Sequence, residues 1–271
     1  MKEKRIGFIG CGNMGFAMIG GILKSGVSTA LQITASAGTK ETLDRVSRSY
    51  GIRTTLSNAE VIKNSDIVFL AVKPNLYETV IKEIRNDTDD GKIIVAIAAG
   101  VSLSRLNHFF QKPVKAVRAM PNTPAMALEA MSALTPNDCV TETEMQYVIS
   151  LFESFGQAEI VPESLMDAVT GVSGSSPAYV YLFIEAMADA AVADGMPRKQ
   201  AYKFAAQAVY GAAKMVLTTG KHPGELKDAV CSPGGTTIEA VAKLEELGLR
   251  HTVIQSQRSC TAKSKEMSKY M

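Results

Sequence analysis

The 271-residue sequence predicts an α/β chain in two parts, an N-terminal doubly wound domain of the Rossmann type followed by an all-α C-terminal domain suited to dimerisation. Three observations lead there. A glycine-rich turn joins a short apolar strand to a helix at the start of the chain. Continuous apolar runs without alternation follow, as strands of a parallel sheet covered on both faces require. From Ser164 onward no convincing strand remains, which places the boundary between residues 1–163 and 164–271.

Arg5 to Ile9 reads as the first strand, and Gly10-Cys11-Gly12-Asn13-Met14-Gly15 opens an apolar helix through Phe16, Met18, Ile19, Ile22 and Leu23. This is GxGxxG in the context of strand, tight turn and helix that dinucleotide binding needs. Gly10, Gly12, Asn13, Met14 and Gly15 are therefore candidate cofactor contacts. A second strand, Leu31 to Ala35, ends in Ser36-Ala37-Gly38-Thr39-Lys40 rather than in a carboxylate. Nothing there repels a 2′-phosphate, and Ser36, Thr39 and Lys40 offer donors, so NADPH is expected, with NADH possible. The plainer role for Ser36 or Thr39 is to cap the helix from Lys40 to Tyr50.

Asp66 to Val72 and Lys92 to Ala98 are the next strands. Ligands of such sheets bind beyond the carboxyl ends of the strands, so Ala71, Val72, Lys73 and Pro74, and likewise Ala98 and Gly100, should border the cofactor. Lys73 faces a phosphate or the substrate, or is a solvated lysine at a strand end. Val114 to Met120 gives one more strand, and Pro121-Asn122-Thr123-Pro124 closes it as a stiff wall for the nicotinamide. Asn58 completes the expected cofactor set, with Pro121 and Asn122. A helix from Glu142 to Phe155 and a strand near Ala158 to Val161 finish the domain.

The remainder reads as helices: Leu165 to Thr170, Pro177 to Asp194, Arg198 to Thr219, and two more after residue 235. Pro177 and Pro197 stand at helix starts and Gly195 at a stop. The helix Pro177 to Asp194 is apolar almost all round, more than a small domain buries alone. Glu185, Asp189 and Asp194 argue against a membrane span, so a homodimer through these helices is expected, the alternative being that neighbouring helices of the same chain bury the apolar face. Gly171 to Tyr179 reads as a loop leading into that helix, near the nicotinamide or between domains.

Composition narrows the function. With 46% hydrophobic residues, 21% charged and a formal charge of +2, there is no electrostatic case for nucleic acid or a membrane surface. No apolar leader precedes the first strand, and a cytoplasmic protein is expected. Cys11, Cys139, Cys231 and Cys260 form no CxxC pair, and the three histidines have no metal-ligand spacing, so no metal is expected.

Cys231-Ser232-Pro233-Gly234-Gly235-Thr236-Thr237-Ile238 joins hydroxyls and a glycine pair to the first turn of a helix. Such a turn cradles an anion, because the first helical N–H groups lack partners and the dipole favours negative charge. Alternatively, Ser232 or Thr236 is an ordinary cap.

Gly10 to Gly15, Ala71-Val72-Lys73-Pro74, Met120 to Pro124, Gly174 to Tyr179, and above all Leu226-Lys227-Asp228 with Ser232 to Thr237 resemble the Δ1-pyrroline-5-carboxylate reductases over essentially the whole chain. The resemblance implies NAD(P)H-dependent reduction of a cyclic imine, the last step of proline synthesis. It also implies a domain-swapped helical dimer, with larger rings of dimers in some members. Ser176 departs from a common glycine, and Thr218 from an acidic residue of many bacterial members.

For an imine carrying one carboxylate, Ser232, Gly234, Gly235, Thr236 and Thr237 form the expected substrate site. Ser232 and the N–H groups of Gly235, Thr236 and Thr237 would hold the carboxylate. The Thr237 hydroxyl would reach the ring nitrogen as the catalytic contact, by hydrogen bonding rather than as a strong acid. A reductase of another cyclic imino acid and a non-catalytic NADPH-binding regulator are the alternatives. A β-hydroxyacid dehydrogenase would carry a lysine on the long helix, and Pro177 to Asp194 has none.

Overall fold

The structure, a computed structural model, describes residues 4–270. In chain order the elements are β1 (Ile6–Ile9), α1 (Asn13–Ser25), β2 (Ile33–Ser36), α2 (Lys40–Tyr50), β3 (Arg53–Thr55), α3 (Asn58–Lys63), β4 (Ile67–Leu70), α4 (Tyr77–Ile84), β5 (Ile93–Ala96) and α5 (Leu103–Phe110). They continue as β6 (Lys115–Met120), β7 (Ala130–Pro136), α6 (Glu142–Glu153), β8 (Gly156–Ile160) and α7 (Met166–Val169). Five helices follow: α8 (Ser176–Ala193), α9 (Arg198–Thr219), α10 (Pro223–Val230), α11 (Thr236–Glu246) and α12 (Leu249–Tyr270). No helix among the described residues is long and apolar enough to cross a membrane.

The strands form one eight-stranded sheet in the order β3-β2-β1-β4-β5-β6-β7-β8. Winding runs outward from β1 to β3 on one side and from β4 on the other, so the order reverses between β1 and β4. Side chains alternate between the two faces. Ile6, Phe8, Ile67, Phe69, Ile93 and Val95 join a core with α1 and α6, while Ile9, Val68, Leu70, Ile94 and Ala96 join another with α3, α4 and α5. This double coverage is what the unalternating runs signalled. Phe8 and Phe69 stack with centroids 4.7 Å apart, and burial stabilises each such ring by about 1.5–3 kcal/mol.

Several elements depart from the sequence reading. β7 pairs antiparallel with β6, so the sheet is mixed, and no strand was expected at Ala130–Pro136. Its small residues and terminal proline give little strand signal. β3 is only three residues long and sits at the sheet edge. β2 begins at Ile33 rather than Leu31, because Thr29 and Gln32 close a capping box around a 3₁₀ turn. α10 precedes the glycine cradle, where no helix was expected, with Pro223 in its first turn. The stretch from Gly171, expected as a loop, is a π-helical turn over Thr170–Gly174 that leads on from α7.

By its contacts the chain divides into two compact units, residues 1–175 with 260–271, and Ser176–Ser259. The expected boundary at 163/164 falls earlier. Residues 164–175 stay with the sheet because Asn122 Nδ2 donates to the Ser173 carbonyl at 3.0 Å. The end of α12 joins them through Ser264 Oγ, which donates to Asp167 Oδ1 at 2.6 Å. In the second unit, α8 and α9 carry exposed apolar side chains, among them Leu182 and Phe204, each 66% exposed.

Candidate active site

Two glycine turns that open a helix without a side-chain cap stand out, one in each unit. In the first, Gly10 has φ +97°, and an added Cβ would lie 2.7 Å from the Ala71 carbonyl oxygen. At Gly15 a Cβ would lie 2.7 Å from the Gly10 carbonyl oxygen. Gly12 differs: nothing lies within 4 Å of its Cβ position, and it is exposed with ordinary φ −63°. The protein therefore leaves space at Gly12 that a ligand backbone or phosphate can use. α1 has no side-chain cap, and no protein acceptor is found among the described residues for the N–H groups of Asn13, Met14 and Gly15. Asn13 is exposed and Met14 half-buried. These donors and this space fit the pyrophosphate of a dinucleotide. Burial pushes the Cys11 thiol in this turn up to about 12, against a smaller opposing pull from Arg45, so it is a neutral packing group.

The ends of the neighbouring strands surround this turn. The Gly10 N–H donates to the Ser36 carbonyl at 3.0 Å, and the Ala71 N–H to the Ile9 carbonyl at 2.8 Å. Ala71, Val72 and Pro74 are half-buried, whereas Lys73 is exposed with no ion pair among the described residues. Ala98 and Gly100 are buried, and Gly100 turns the chain at φ +80°. Arg45 on α2, which the sequence did not point to, brings a cation to the turn. Its Nη2 donates to the Cys11 carbonyl at 3.2 Å, and its guanidinium lies 4.8 Å from the Phe16 ring centroid.

Several candidate side chains already have protein partners. Ser36 is fully buried, and its hydroxyl donates to Asn58 Oδ1 at 2.7 Å, so it does not present that proton to a phosphate. Asn58 Nδ2 in turn donates to Glu83 Oε2 at 2.7 Å. Thr39 is the N-cap of α2, accepting from the Thr42 N–H. Asn122 accepts from the Met131 N–H at 3.0 Å while donating to Ser173. The stiff Pro121 to Pro124 loop and the π turn, separate motifs in the sequence, are thereby tied together.

Tyr77 was also missed. Its buried hydroxyl donates to the Leu70 carbonyl at 2.6 Å and accepts from the N–H groups of Ile97 and Ala98 at 3.1 and 3.2 Å. Burial pushes this phenol up in pKa, so it stays a donor. It bridges the carboxyl ends of β4 and β5 just before Ala71–Pro74 and Ala98–Gly100. In sequence it is one more aromatic on an amphipathic helix, which reads as core.

The second turn lies between α10 and α11. Gly234 has φ +68°, and the Gly235 N–H donates to the Ser232 carbonyl at 3.0 Å. Gly235 is the N-cap of α11, with no side-chain cap, so neither Ser232 nor Thr236 caps this helix. The expectation that Gly235 supplies a donor to the anion is revised, because that N–H closes the turn. The N–H groups of Thr236, Thr237 and Ile238 have no protein acceptor among the described residues. Ser232, Gly234 and Thr236 are exposed, and Thr237 is half-exposed. At Gly235 a Cβ would meet Ser232 Oγ at 2.4 Å, so a side chain there would displace the serine hydroxyl.

A doubly wound sheet with an open glycine turn at its switch point, followed by a helical unit with a second glycine turn of its own, is the build of a dinucleotide-dependent oxidoreductase. Two family models divide the chain accordingly: "NADP oxidoreductase coenzyme F420-dependent" matches residues 5–100, and "Pyrroline-5-carboxylate reductase dimerisation" matches 163–267. A pyrroline-5-carboxylate reductase of Escherichia coli (strain K12) is 51% identical over 267 residues, covering 98% of this chain and 99% of its own. The solved structure of the Coxiella burnetii pyrroline-5-carboxylate reductase matches with a TM-score of 0.92 at 31% identity, over 98% of this chain and 99% of that one. The Plasmodium falciparum enzyme, crystallised with NADP bound, matches with a TM-score of 0.90 at 30% identity, over 99% of both chains. The chain belongs to the pyrroline-5-carboxylate reductase family.

Proposed function

We propose that this protein reduces Δ1-pyrroline-5-carboxylate to L-proline with NADPH in the cytoplasm, the last step of proline biosynthesis. The observation that carries this reading is identity to a reductase of that name at 51% along nearly the full length of both chains. Residues 1–163 bind the cofactor, and 164–271 dimerise and bind the imine. The dimerisation match and the exposed apolar side chains of α8 and α9 support a homodimer. Rings of such dimers are the larger assembly.

NADPH, when bound, supplies the hydride that adds to the imine carbon. The protein's work is to hold, orient and exclude water. Gly10, Gly12, Asn13, Met14 and Gly15 receive the pyrophosphate, and the ends of β4 and β5 border the nicotinamide. The Ser232 hydroxyl and the N–H groups of Thr236, Thr237 and Ile238 grip the substrate carboxylate and so fix the orientation of the ring. As the C=N π electrons move onto nitrogen, the nitrogen must hold or gain a proton. The Thr237 hydroxyl orients it by a hydrogen bond, since a threonine is too weakly acidic to protonate it unaided.

The deciding experiment follows NADPH oxidation with Δ1-pyrroline-5-carboxylate, with NADH and a six-membered imine acid alongside. No turnover of the five-membered imine would refute the assignment. Ser232→Ala should chiefly raise the imine KM, and Thr237→Ala chiefly lower kcat. A loss of NADPH affinity with unchanged turnover in Thr237→Ala would remove that residue from the substrate site.

A further inference from the structure

Hydrogen bonds to the backbone and from the side chain of Ser36 connect the nucleotide turn with α4. The Gly10 N–H donates to the Ser36 carbonyl, Ser36 Oγ donates to Asn58 Oδ1, and Asn58 Nδ2 donates to Glu83 Oε2 at 2.7 Å. Glu83 is exposed and Asn58 half-buried, while Ser36 is fully buried. The order of donors is not free to reverse. An ionised carboxylate only accepts, so the Asn58 amide must turn its nitrogen to Glu83 and its oxygen to Ser36. The buried serine hydroxyl then satisfies itself by donating. This leaves the second Nδ2 hydrogen of Asn58, for which no protein acceptor is found among the described residues.

We propose that Glu83 is a positioning residue that locks the Asn58 amide as a donor toward the adenosine ribose, and so favours a 2′-phosphate over a 2′-hydroxyl. This rests on the reading above that Asn58 lines the cofactor site. An ionised 2′-phosphate only accepts hydrogen bonds, whereas a ribose hydroxyl donates or accepts. A locked donor therefore suits the phosphate, and an amide free to flip serves the hydroxyl as well. The exposed carboxylate also repels a phosphate through space. That effect is screened by salt and acts in the opposite direction, so the two are separable by sign.

The test is Glu83→Gln, which keeps the shape and the hydrogen bond, removes the charge and lets either end of the amide face Asn58. The readout is the ratio of kcat/KM with NADPH to kcat/KM with NADH, a quantity that general loss of stability moves little. The lock predicts that the ratio falls about threefold to tenfold, the worth of one hydrogen bond, through the NADPH KM. An unchanged ratio, or one that rises because repulsion dominates, overturns the role of Glu83. Asn58→Ala, measured in parallel, separates the two levels. If it leaves the NADPH KM unchanged, Asn58 is outside the cofactor site and the proposal falls with that reading. If it raises the NADPH KM while Glu83→Gln leaves the ratio unchanged, the cofactor reading survives and only the lock is lost.

Discussion

Replacing Tyr77 with phenylalanine removes one oxygen atom from the middle of the cofactor domain. That atom satisfies three backbone groups: the Leu70 carbonyl and the N–H groups of Ile97 and Ala98. Without it, Ile97 keeps a long contact to the Leu70 carbonyl at 3.5 Å, which can tighten as the strand ends close up. The Ala98 N–H has no such alternative among the described residues. One orphaned buried donor costs about 1–3 kcal/mol, and weakening at the other two groups brings the expected loss to about 2–4 kcal/mol. That is a large share of the ~5–15 kcal/mol that holds a typical domain folded. Denaturant titration at a fixed protein concentration should show a lower midpoint with an unchanged slope. Because Ala71–Pro74 and Ala98–Gly100 lie just beyond the bridge, the NADPH KM should rise as well. A stability loss below about 0.5 kcal/mol, the lower end for a single hydrogen bond, would show that the phenol is not the tie between β4 and β5.

Other perturbations have equally definite outcomes. Gly12→Ala should fold with unchanged or slightly higher thermal stability yet bind NADPH at least about tenfold more weakly, because the added methyl enters ligand space. Gly10→Ala, strained at φ +97° and blocked by the Ala71 carbonyl, should instead lower the melting temperature markedly. At Glu144, burial pushes the carboxyl up, but hydrogen bonds from Lys115 and Thr141 outweigh it and leave the pKa below its ordinary value. Its contribution is thus present above the unfolded carboxylate value of about 4.3 and is lost as pH falls through the lower folded value. Glu144→Gln should flatten that part of the acid limb in melting-temperature measurements. Placing glutamate at both Leu182 and Phe204 should dissociate the proposed homodimer in analytical ultracentrifugation, and a dimer that persists would put its interface elsewhere.

Sequence patterning revealed the elements whose signals are local. α2 and α9 match their expected bounds, at Lys40–Tyr50 and Arg198–Thr219, because Thr39 caps one start, Pro197 precedes the other, and a glycine follows each end. β4 and β5 were plain because strands covered on both faces have no polar side. β7 was hidden because its place is set by pairing across the sheet to Met120 and its neighbours, which no local signal encodes. The same holds at the site. Gly10 to Gly15 and Ser232 to Thr237 are motifs because backbone geometry dictates residue type. The hydroxyl of Ser36, the amide of Asn122 and the phenol of Tyr77 take their roles from partners distant in sequence, so their commitments emerge only when the chain is folded.

The nucleotide turn divides its glycines between two masters. Gly10 and Gly15 are demanded by neighbouring backbone atoms, whereas Gly12 answers to nothing inside the protein. A population of variants screened only for solubility and heat resistance would therefore keep the outer glycines and let the middle one drift. Screened for growth without supplied proline, the same population would hold all three. The pattern of tolerated substitutions at these positions would thus report which demand, folding or ligand, had been imposed.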